Sequence, residues 1–274
     1  MKFRFYFFFV LFISLYSQNM KSQDGFELGG WIGISNYFGD LNTSFNLSKP
    51  GLAAGINYRL LFNDRLAYKA SLSFGAVRGD DKDSSNPFER DRNLSFKSPI
   101  YDLTNQFEFN FMPYIHGTST DYFTPYVSIG LSIFNYNPTA EIDGKKYNLR
   151  EYGTEGQALG EEYFQFSSGL ITGGGLKWDI NHKLSINLEA SYRFIFTDYL
   201  DDVSTVYPNI GELRSLRGEE GIMLSDRSGI PGFAVQGKQR GNSRDNDKYS
   251  FMGISLMYYF GTLDCPSINR FSFK

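Results

Sequence analysis

Cysteine and histidine are scarce in this sequence, and their scarcity excludes several classes of protein. The 274 residues include one cysteine, Cys265, and two histidines, His116 and His182. One cysteine cannot form an intramolecular disulfide, and zinc sites normally need several such ligands. Both histidines fall in predicted short turns, where we interpret them as solvated and remote from the acidic loops. Because hydrolysis of acyl or peptide bonds usually recruits histidine as a base, we expect a protein that is not an enzyme.

Long apolar runs and a strong charge excess are also missing. Mean hydropathy is −0.33, whereas each membrane helix needs about 20 consecutive apolar residues. Formal net charge is −3, which provides no basic surface for nucleic acid. The motifs G-x-S-x-G, H-E-x-x-H and the P-loop do not occur. A helical membrane protein and a nucleic-acid partner are therefore not expected, and no cofactor or metal is implied.

The N-terminus has the composition of a secretory signal peptide. Lys2 and Arg4 precede a short apolar stretch at 5–15, and polar residues follow. This stretch is short for a membrane span, so a membrane anchor is the weaker alternative. We predict that residues 1–22 are a signal peptide and that the protein leaves the cytoplasm.

What the sequence has in excess is aromatic residues, at 18%, set in alternating patterns. Between Leu184 and Phe196, apolar and polar residues alternate, which places them on opposite faces of a strand. The same period recurs along the chain. We predict eight strands, at 26–36, 51–62, 66–79, 98–112, 124–135, 167–180, 184–197 and 249–261.

The connections between these strands alternate in length. Those at 62–65, 113–123 and 180–183 are short, whereas those at 37–50, 80–97, 136–166 and 198–248 are long. This rhythm is typical of bacterial outer-membrane barrels. We predict an all-β fold, an eight-stranded antiparallel transmembrane β-barrel with short periplasmic turns and long extracellular loops. The barrel spans 23–261, and a periplasmic tail spans 262–274.

The polar faces of the strands carry charges of both signs, and the apolar faces carry almost none. A barrel of this size has room inside only for side chains, so we expect these charges to fill a plugged lumen as ion pairs. A soluble barrel with the opposite facing is the alternative, and the facing of the Gly-rich sixth strand is ambiguous. The predicted lumen network is Glu27, Arg59, Lys69, Asp102, Glu108, Glu189 and Arg193.

Three polar segments converge on the rim with the long loops. We weigh calcium binding, carboxylate catalysis and a solvated rim in which Asp and Asn cap turns. The solvated rim is favoured, with Arg240 and Arg244 pairing with acids. The predicted outer-rim residues are Tyr37, Gly39, Asp40, Asp198, Tyr199, Asp201, Asp202, Arg240, Asn242, Asp245 and Asp247.

The segments "GISNYFGDLN", "YRFIFTDYLDDVS" and "GNSRDNDKYSFMGISLMYYF" resemble the PorG-like outer-membrane barrels of the type IX secretion system. The resemblance extends over the whole mature chain. It implies a non-enzymatic barrel in the outer membrane of a diderm (Gram-negative) bacterium, in contact with lipid. It also implies that the barrel anchors a secretion and gliding assembly through a periplasmic ring of PorK and PorN. The tail with Cys265 and Pro266 is a candidate docking segment. A small surface enzyme, a ligand-binding barrel and a narrow channel are the alternatives.

Overall fold

A computed structural model describes residues 25–262. The predicted signal peptide at 1–22 and the candidate docking residues Cys265 and Pro266 lie outside the described residues. Both therefore stay predictions.

The described chain folds as an all-β barrel whose connections carry two α-helices, two short 3₁₀ helices (Asp81–Asp83 and Leu149–Tyr152) and a small hairpin. All eight predicted barrel strands are present, and their ends differ from the prediction by at most three residues. The elements are β1 (Gly25–Phe38), β2 (Gly51–Leu61), β3 (Leu66–Asp80), α1 (Pro87–Arg92), β4 (Ser95–Asn110), β5 (Phe123–Tyr136), β6 (Thr139–Ile142), β7 (Lys145–Asn148), β8 (Phe166–Asp179), β9 (Leu184–Ile195), α2 (Ile210–Ser225) and β10 (Lys248–Gly261).

The barrel is closed and antiparallel throughout. Its strands follow the order β1, β2, β3, β4, β5, β8, β9, β10 around the wall. The closing pair joins β1 to β10, from Gly25 opposite Gly261 to Phe38 opposite Lys248. Closure leaves no unpaired strand edge in the wall, which a lipid-embedded sheet requires.

The two faces of the wall differ sharply in polarity. Apolar side chains point outward, and Ile32, Leu52 and Ile129 are 72%, 82% and 66% exposed. Polar and charged side chains point inward and are buried. Such a continuous apolar outer surface suits lipid and not water, so the soluble alternative is wrong. The Gly-rich strand β8 follows the same rule, with Trp178 outward and Lys177 inward.

The two ends of the barrel also differ. Connections at 62–65, 111–122 and 180–183 form the short-turn end, and the long loops carry α1, α2 and the β6–β7 hairpin at the other end, which we call the long-loop end. The sequence did not reveal these loop elements. No helix within residues 25–262 is long and apolar enough to cross a membrane.

The helices of the long-loop end begin and end at residues suited to their positions. The side chain of Asn86 accepts a hydrogen bond from Phe88 N at 3.0 Å and caps α1, and Asn93 ends that helix with a φ of 58°. The side chain of Asn209 caps α2 in the same way. Gly218 breaks α2 with a φ of 71°, a backbone conformation that glycine adopts easily. Local chemistry therefore sets each boundary.

The long loops pack together into a cap over the barrel opening. Their apolar side chains join the upper wall in one buried cluster that includes Phe96, Leu94, Leu200, Val203 and Leu224. Burial of these apolar side chains orders the loops as part of the fold. The predicted rim residues thus lie beneath a folded cap.

Candidate functional site

The long-loop end buries an acidic cluster around one tyrosine. Tyr37, at the end of β1, places its Oη 2.5 Å from Asp201 Oδ2 and 2.9 Å from Asp247 Oδ1. The other oxygens of these two carboxylates accept hydrogen bonds from backbone N–H groups, of Val203 at 2.8 Å and Leu200 at 3.0 Å. One hydroxyl hydrogen cannot serve two carboxylates. One of the two acids must therefore supply the second hydrogen.

Gly39 makes room for this cluster. A Cβ atom at this position would lie 1.9 Å from Asp247 Oδ1 and 2.2 Å from Tyr37 Oη. Neighbouring Asp40 turns away, and its Oδ2 accepts a hydrogen bond from Asn242 N at 2.9 Å. The first and last long loops are joined at this point.

A second part of the cluster surrounds Asp202 and Arg240. Asp202 has a φ of 69°, and its carboxylate accepts hydrogen bonds from Thr154 at 2.5 Å and Tyr163 at 2.7 Å. Arg240 donates to the backbone oxygen of Asp202 at 2.6 Å and to Glu155 Oε1 at 3.1 Å. These bonds hold the αL backbone conformation that aspartate tolerates better than most residues.

The expectation of a solvated rim is wrong. Asp201, Asp202, Arg240 and Asp247 are each 1% exposed, because the cap covers them. Tyr37 is equally buried, and the other predicted residues are less buried. Tyr199 stacks on Tyr163 at 4.6 Å, Asp245 is an exposed turn residue that accepts from Asn242 at 2.9 Å, and Asp198 is partly exposed. Arg240 pairs with acids as expected, whereas Arg244 forms no ion pair within the described part of the chain.

Burial makes the carboxylates of the rim weak acids. Removal from water raises the pKa of Asp40 and Asp202 to about 6 and that of Asp198 to about 8. Burial, with the charge of Asp247 nearby, raises the pKa of Asp201 well above its ordinary value. Burial raises the pKa of Asp247 in the same way. The cluster therefore retains protons at pH values where exposed carboxylates have lost theirs.

The same carboxylates do not converge on a common point. Within residues 25–262, no three His, Cys, Asp or Glu side chains are placed so that they could hold a metal ion. Their oxygens face Tyr37, backbone N–H groups and Arg240. The buried carboxyl groups bind protons, and their hydrogen bonds link the long loops to one another.

The lumen contains a second, fully paired set of charges centred on Glu108. Its carboxylate is 2.8 Å from Arg59 Nε, 3.4 Å from Lys69 Nζ and 2.6 Å from Lys177 Nζ. Arg59 also pairs with Glu27. Each charge thus has a partner, as burial away from water demands.

The remaining lumen charges extend this network along the barrel. Arg193 Nε lies 3.0 Å from Asp102 Oδ2, and Ser132 donates to the same carboxylate at 2.6 Å. Glu189 accepts from Lys69 at 2.5 Å and from Tyr126 at 2.8 Å. The structure therefore places all seven predicted lumen residues inside the barrel.

Very little free space remains among these side chains. A lumen cavity bordered by Asn57, Gln106 and Arg193 has a volume of about 20 Å³. A space of that size holds about one water molecule. Side chains therefore fill this level of the barrel.

A family model described as "Domain of unknown function (DUF6089)" matches residues 4–220. The chain belongs to this family. No curated protein matches it.

Several solved outer-membrane barrels are similar to this DUF6089 chain at low identity. Neisserial surface protein A is 10% identical, with 86% of this chain and 97% of that chain covered and a TM-score of 0.43. The outer membrane protein OprG from Pseudomonas aeruginosa is 11% identical, with 88% and 98% covered and a TM-score of 0.43. Ail, the attachment invasion locus protein of Yersinia pestis, is 12% identical, with 88% and 100% covered and a TM-score of 0.40.

Several buried side chains of the DUF6089 barrel were missed in the sequence, and Lys177 and His116 are two of them. Lys177 lies on the Gly-rich strand β8, where "TGGGLKW" breaks the alternation that reveals facing elsewhere. Its position one residue before the outward Trp178 is the signal that would have placed it inside.

His116 is the other missed residue, and its interpretation as a solvated turn residue is wrong. Its Nδ1 lies 3.0 Å from Asp179 Oδ2, its Nε2 lies 3.2 Å from Glu27 Oε1, and its ring stacks on Tyr259 at 4.4 Å. The turn at 111–122 is long enough to fold back and close the short-turn end. His182, by contrast, is exposed.

We expect His116→Gln to destabilise the DUF6089 barrel at neutral pH and much less above pH 9. Burial alone would lower the pKa of His116, but hydrogen bonds to Asp179 and Glu27 outweigh it and raise the pKa to about 9. The stabilisation is complete below the unfolded pKa of about 6.5 and is lost as pH rises through about 9.

The cost of this variant at pH 6 should be about 1.5–3 kcal/mol, typical of a hydrogen bond to a charged group. Urea unfolding of the refolded barrel between pH 6 and pH 10 measures it. His182→Gln is the control and should leave the curve unchanged. A constant difference across this pH range would contradict a charged His116.

Proposed function

We propose that this protein is a non-enzymatic outer-membrane barrel that anchors or aligns a type IX secretion or gliding assembly. In this proposal the short-turn end faces the periplasm and the long-loop end faces the exterior, as in bacterial barrels generally. The membrane is the outer membrane of a diderm bacterium, and the chain arrives there after cleavage of its signal peptide.

The filled lumen is the observation that supports an anchoring role best. Buried ion pairs centred on Glu108 occupy the barrel interior, and the cavity among them is about 20 Å³. A diffusion pore needs a continuous aqueous path, which barrels of this strand number rarely provide. A rigid wall with ordered ends suits a protein that acts through its surfaces.

The buried rim favours a structural role over a catalytic one. Asp201, Asp202 and Asp247 are covered by the cap and engaged by Tyr37, Arg240 and backbone N–H groups. A surface enzyme would need its carboxylates open to substrate. These contacts instead hold the loops in one arrangement.

The resemblance to PorG-like barrels suggests the partner, a periplasmic ring of PorK-like and PorN-like proteins. The available surfaces are the turns at 62–65, 111–122 and 180–183, and β10 also ends at this end of the barrel, before the tail. Docking there would fix the position of the ring beneath the membrane.

Affinity purification of a tagged barrel from solubilised outer membranes tests this proposal. We expect the ring proteins to co-purify and to be lost when residues 263–274 are removed, a change that preserves the pairing of Gly25 with Gly261. A control variant with Asp143→Ala in the β6–β7 hairpin, at the opposite end, should retain them. Recovery of the full-length barrel and of the Asp143→Ala variant, both folded and both without ring proteins, would refute the secretion role.

A further inference from the structure

Two basic side chains stand side by side on the outer face of the wall at the long-loop end. Arg78 on β3 lies directly opposite Lys97 on β4, and both are exposed. Like charges directly opposite on neighbouring strands are unfavourable. Neither side chain has a carboxylate within ion-pair distance among residues 25–262. An anion between them would relieve this repulsion.

Lys49 and a cavity of about 280 Å³ complete this basic site. Arg78 donates to the backbone oxygens of Lys49 at 3.0 Å and Pro50 at 2.8 Å, which fixes the first long loop beside it. The two nearby acids are already engaged, since Lys49 Nζ lies 2.6 Å from Asp83 and 3.8 Å from Asp80. Three cations against two acids leave a net positive charge.

The cavity also contains a free hydrogen-bond donor. Asn36 lines it and is 5% exposed, and its Nδ2 has no hydrogen-bond partner among residues 25–262. A buried amide N–H without a partner is costly. An acceptor oxygen bound in the cavity would satisfy it.

The outer face of β3 and β4 carries no charge between this site and the short-turn end. Phe74 and Tyr101, opposite one another four residues along each strand, pack their rings at 5.1 Å. At about 3.4 Å per residue, the cations lie roughly 13 Å from this aromatic pair along the strands. No outward charge follows on β3 or β4 between that pair and the short-turn end. The cations therefore mark the upper border of the lipid-facing belt.

We propose that Arg78, Lys97 and Lys49, with Asn36, bind the phosphate group of a phosphorylated glycolipid in the surrounding leaflet. Phosphate offers several acceptor oxygens and a double negative charge, which matches guanidinium and ammonium donors. A lipid is the source because Arg78 and Lys97 project from the wall next to the surface that acyl chains would cover. This inference rests on the membrane orientation of the proposed function, and not on the secretion ring.

Native mass spectrometry of the full barrel in neutral detergent tests the site with three probes. These are diphosphoryl lipid A, the same lipid with both phosphates removed, and inorganic phosphate. At about 1 kcal/mol per basic residue, Arg78→Gln combined with Lys97→Gln should weaken binding of the diphosphoryl lipid about 30-fold. Lys97→Gln alone should weaken it about fivefold by the same reasoning. Within the described part of the chain, the Lys97 side chain makes no hydrogen bond whose loss would disturb the fold.

Lys248→Gln is the matched control. Lys248 is also a basic residue at the long-loop end, on β10 between Phe38 and Phe194, and it does not line the cavity. Its loss should leave binding unchanged. Equal binding of the dephosphorylated lipid, or equal loss in the control, would overturn the site. Competition by inorganic phosphate at the same concentration as the lipid would assign the site to a soluble anion and overturn the lipid source. None of these outcomes depends on whether ring proteins co-purify.

Discussion

Glu108→Gln is expected to lower the free energy of unfolding of the barrel by about 3–5 kcal/mol, the usual cost of removing one partner from a buried ion pair. Three cations share this carboxylate, Arg59 at 2.8 Å, Lys177 at 2.6 Å and Lys69 at 3.4 Å. The glutamine occupies the same volume but carries no charge. The loss is therefore electrostatic, with no cavity left behind.

Removal of one cation should cost much less than removal of the shared anion. Lys177→Met leaves Glu108 paired with Arg59 and Lys69, and Asn110, which now accepts from Lys177 at 2.9 Å, is the main group left without its donor. Removing one partner from a buried ion pair is costly because it leaves an uncompensated buried charge, and Glu108 keeps two cationic partners here. We expect a cost of about 1–2 kcal/mol, the penalty of one unsatisfied buried polar group.

Urea unfolding of the barrel refolded into lipid vesicles, followed by its heat-modifiable migration in gels, measures both variants. Glu141→Gln on the β6–β7 hairpin is the control, because Glu141 is exposed. Equal costs for Glu108→Gln and Lys177→Met would show that the network does not centre on Glu108.

Asp247→Asn is expected to flatten the dependence of cap stability on pH. Burial raises the pKa of Asp247 and of Asp201 well above ordinary values, and it raises the pKa of Asp202 to about 6. A raised carboxyl pKa means that the folded state binds more protons than the unfolded state. Stability is therefore greatest at low pH and falls as pH rises from about 4 through the folded pKa values, by about 1.4 kcal/mol per pH unit for each extra proton.

The asparagine suits the geometry of the site. Its amide can donate to Tyr37 Oη in place of a protonated carboxyl, and its oxygen can accept from Leu200 N, which now donates to Asp247 at 3.0 Å. The variant keeps both bonds and needs no proton. It should therefore hold the cap closed at pH 8, where the native chain is weakened.

Hydrogen exchange of the long-loop amides between pH 5 and pH 8, corrected for the intrinsic exchange rate, measures cap opening. Asp245→Asn is the matched control, because Asp245 is exposed two residues away in the same loop. A native cap whose protection is constant over this range would contradict the shared proton at Tyr37.

Strand positions were predictable because alternation is a local property of the chain. In β9, each residue from Leu184 to Phe194 faces the side of the wall that its own polarity indicates, whereas Ile195 faces inward and joins the buried cluster of the cap. The inward orientation of Lys177 was not predicted, because the preceding Gly173, Gly174 and Gly175 have no side chains whose polarity could indicate which way the strand faces. Local pattern thus determined the wall wherever side chains were present to be read.

The cap was not predictable because long-range contacts build it. Arg92 joins Asp81, the backbone oxygen of Asp40 and the backbone oxygen of Arg240, which come from three different loops. Each segment alone has the composition of a solvated turn. Only their meeting over the barrel opening buries the aspartates and changes their acidity.

The closing seam has a consequence for biogenesis. Gly25 meets Gly261 across β1 and β10, so the first barrel strand must wait for the last before the wall can close. Until then, partners on strands far apart in the open sheet, such as Lys69 on β3 and Glu189 on β9, stay separated and keep their hydration. Membrane insertion, seam closure and dehydration of the lumen charges should therefore occur as one cooperative event. A stalled intermediate would be an open sheet whose charged face is still hydrated.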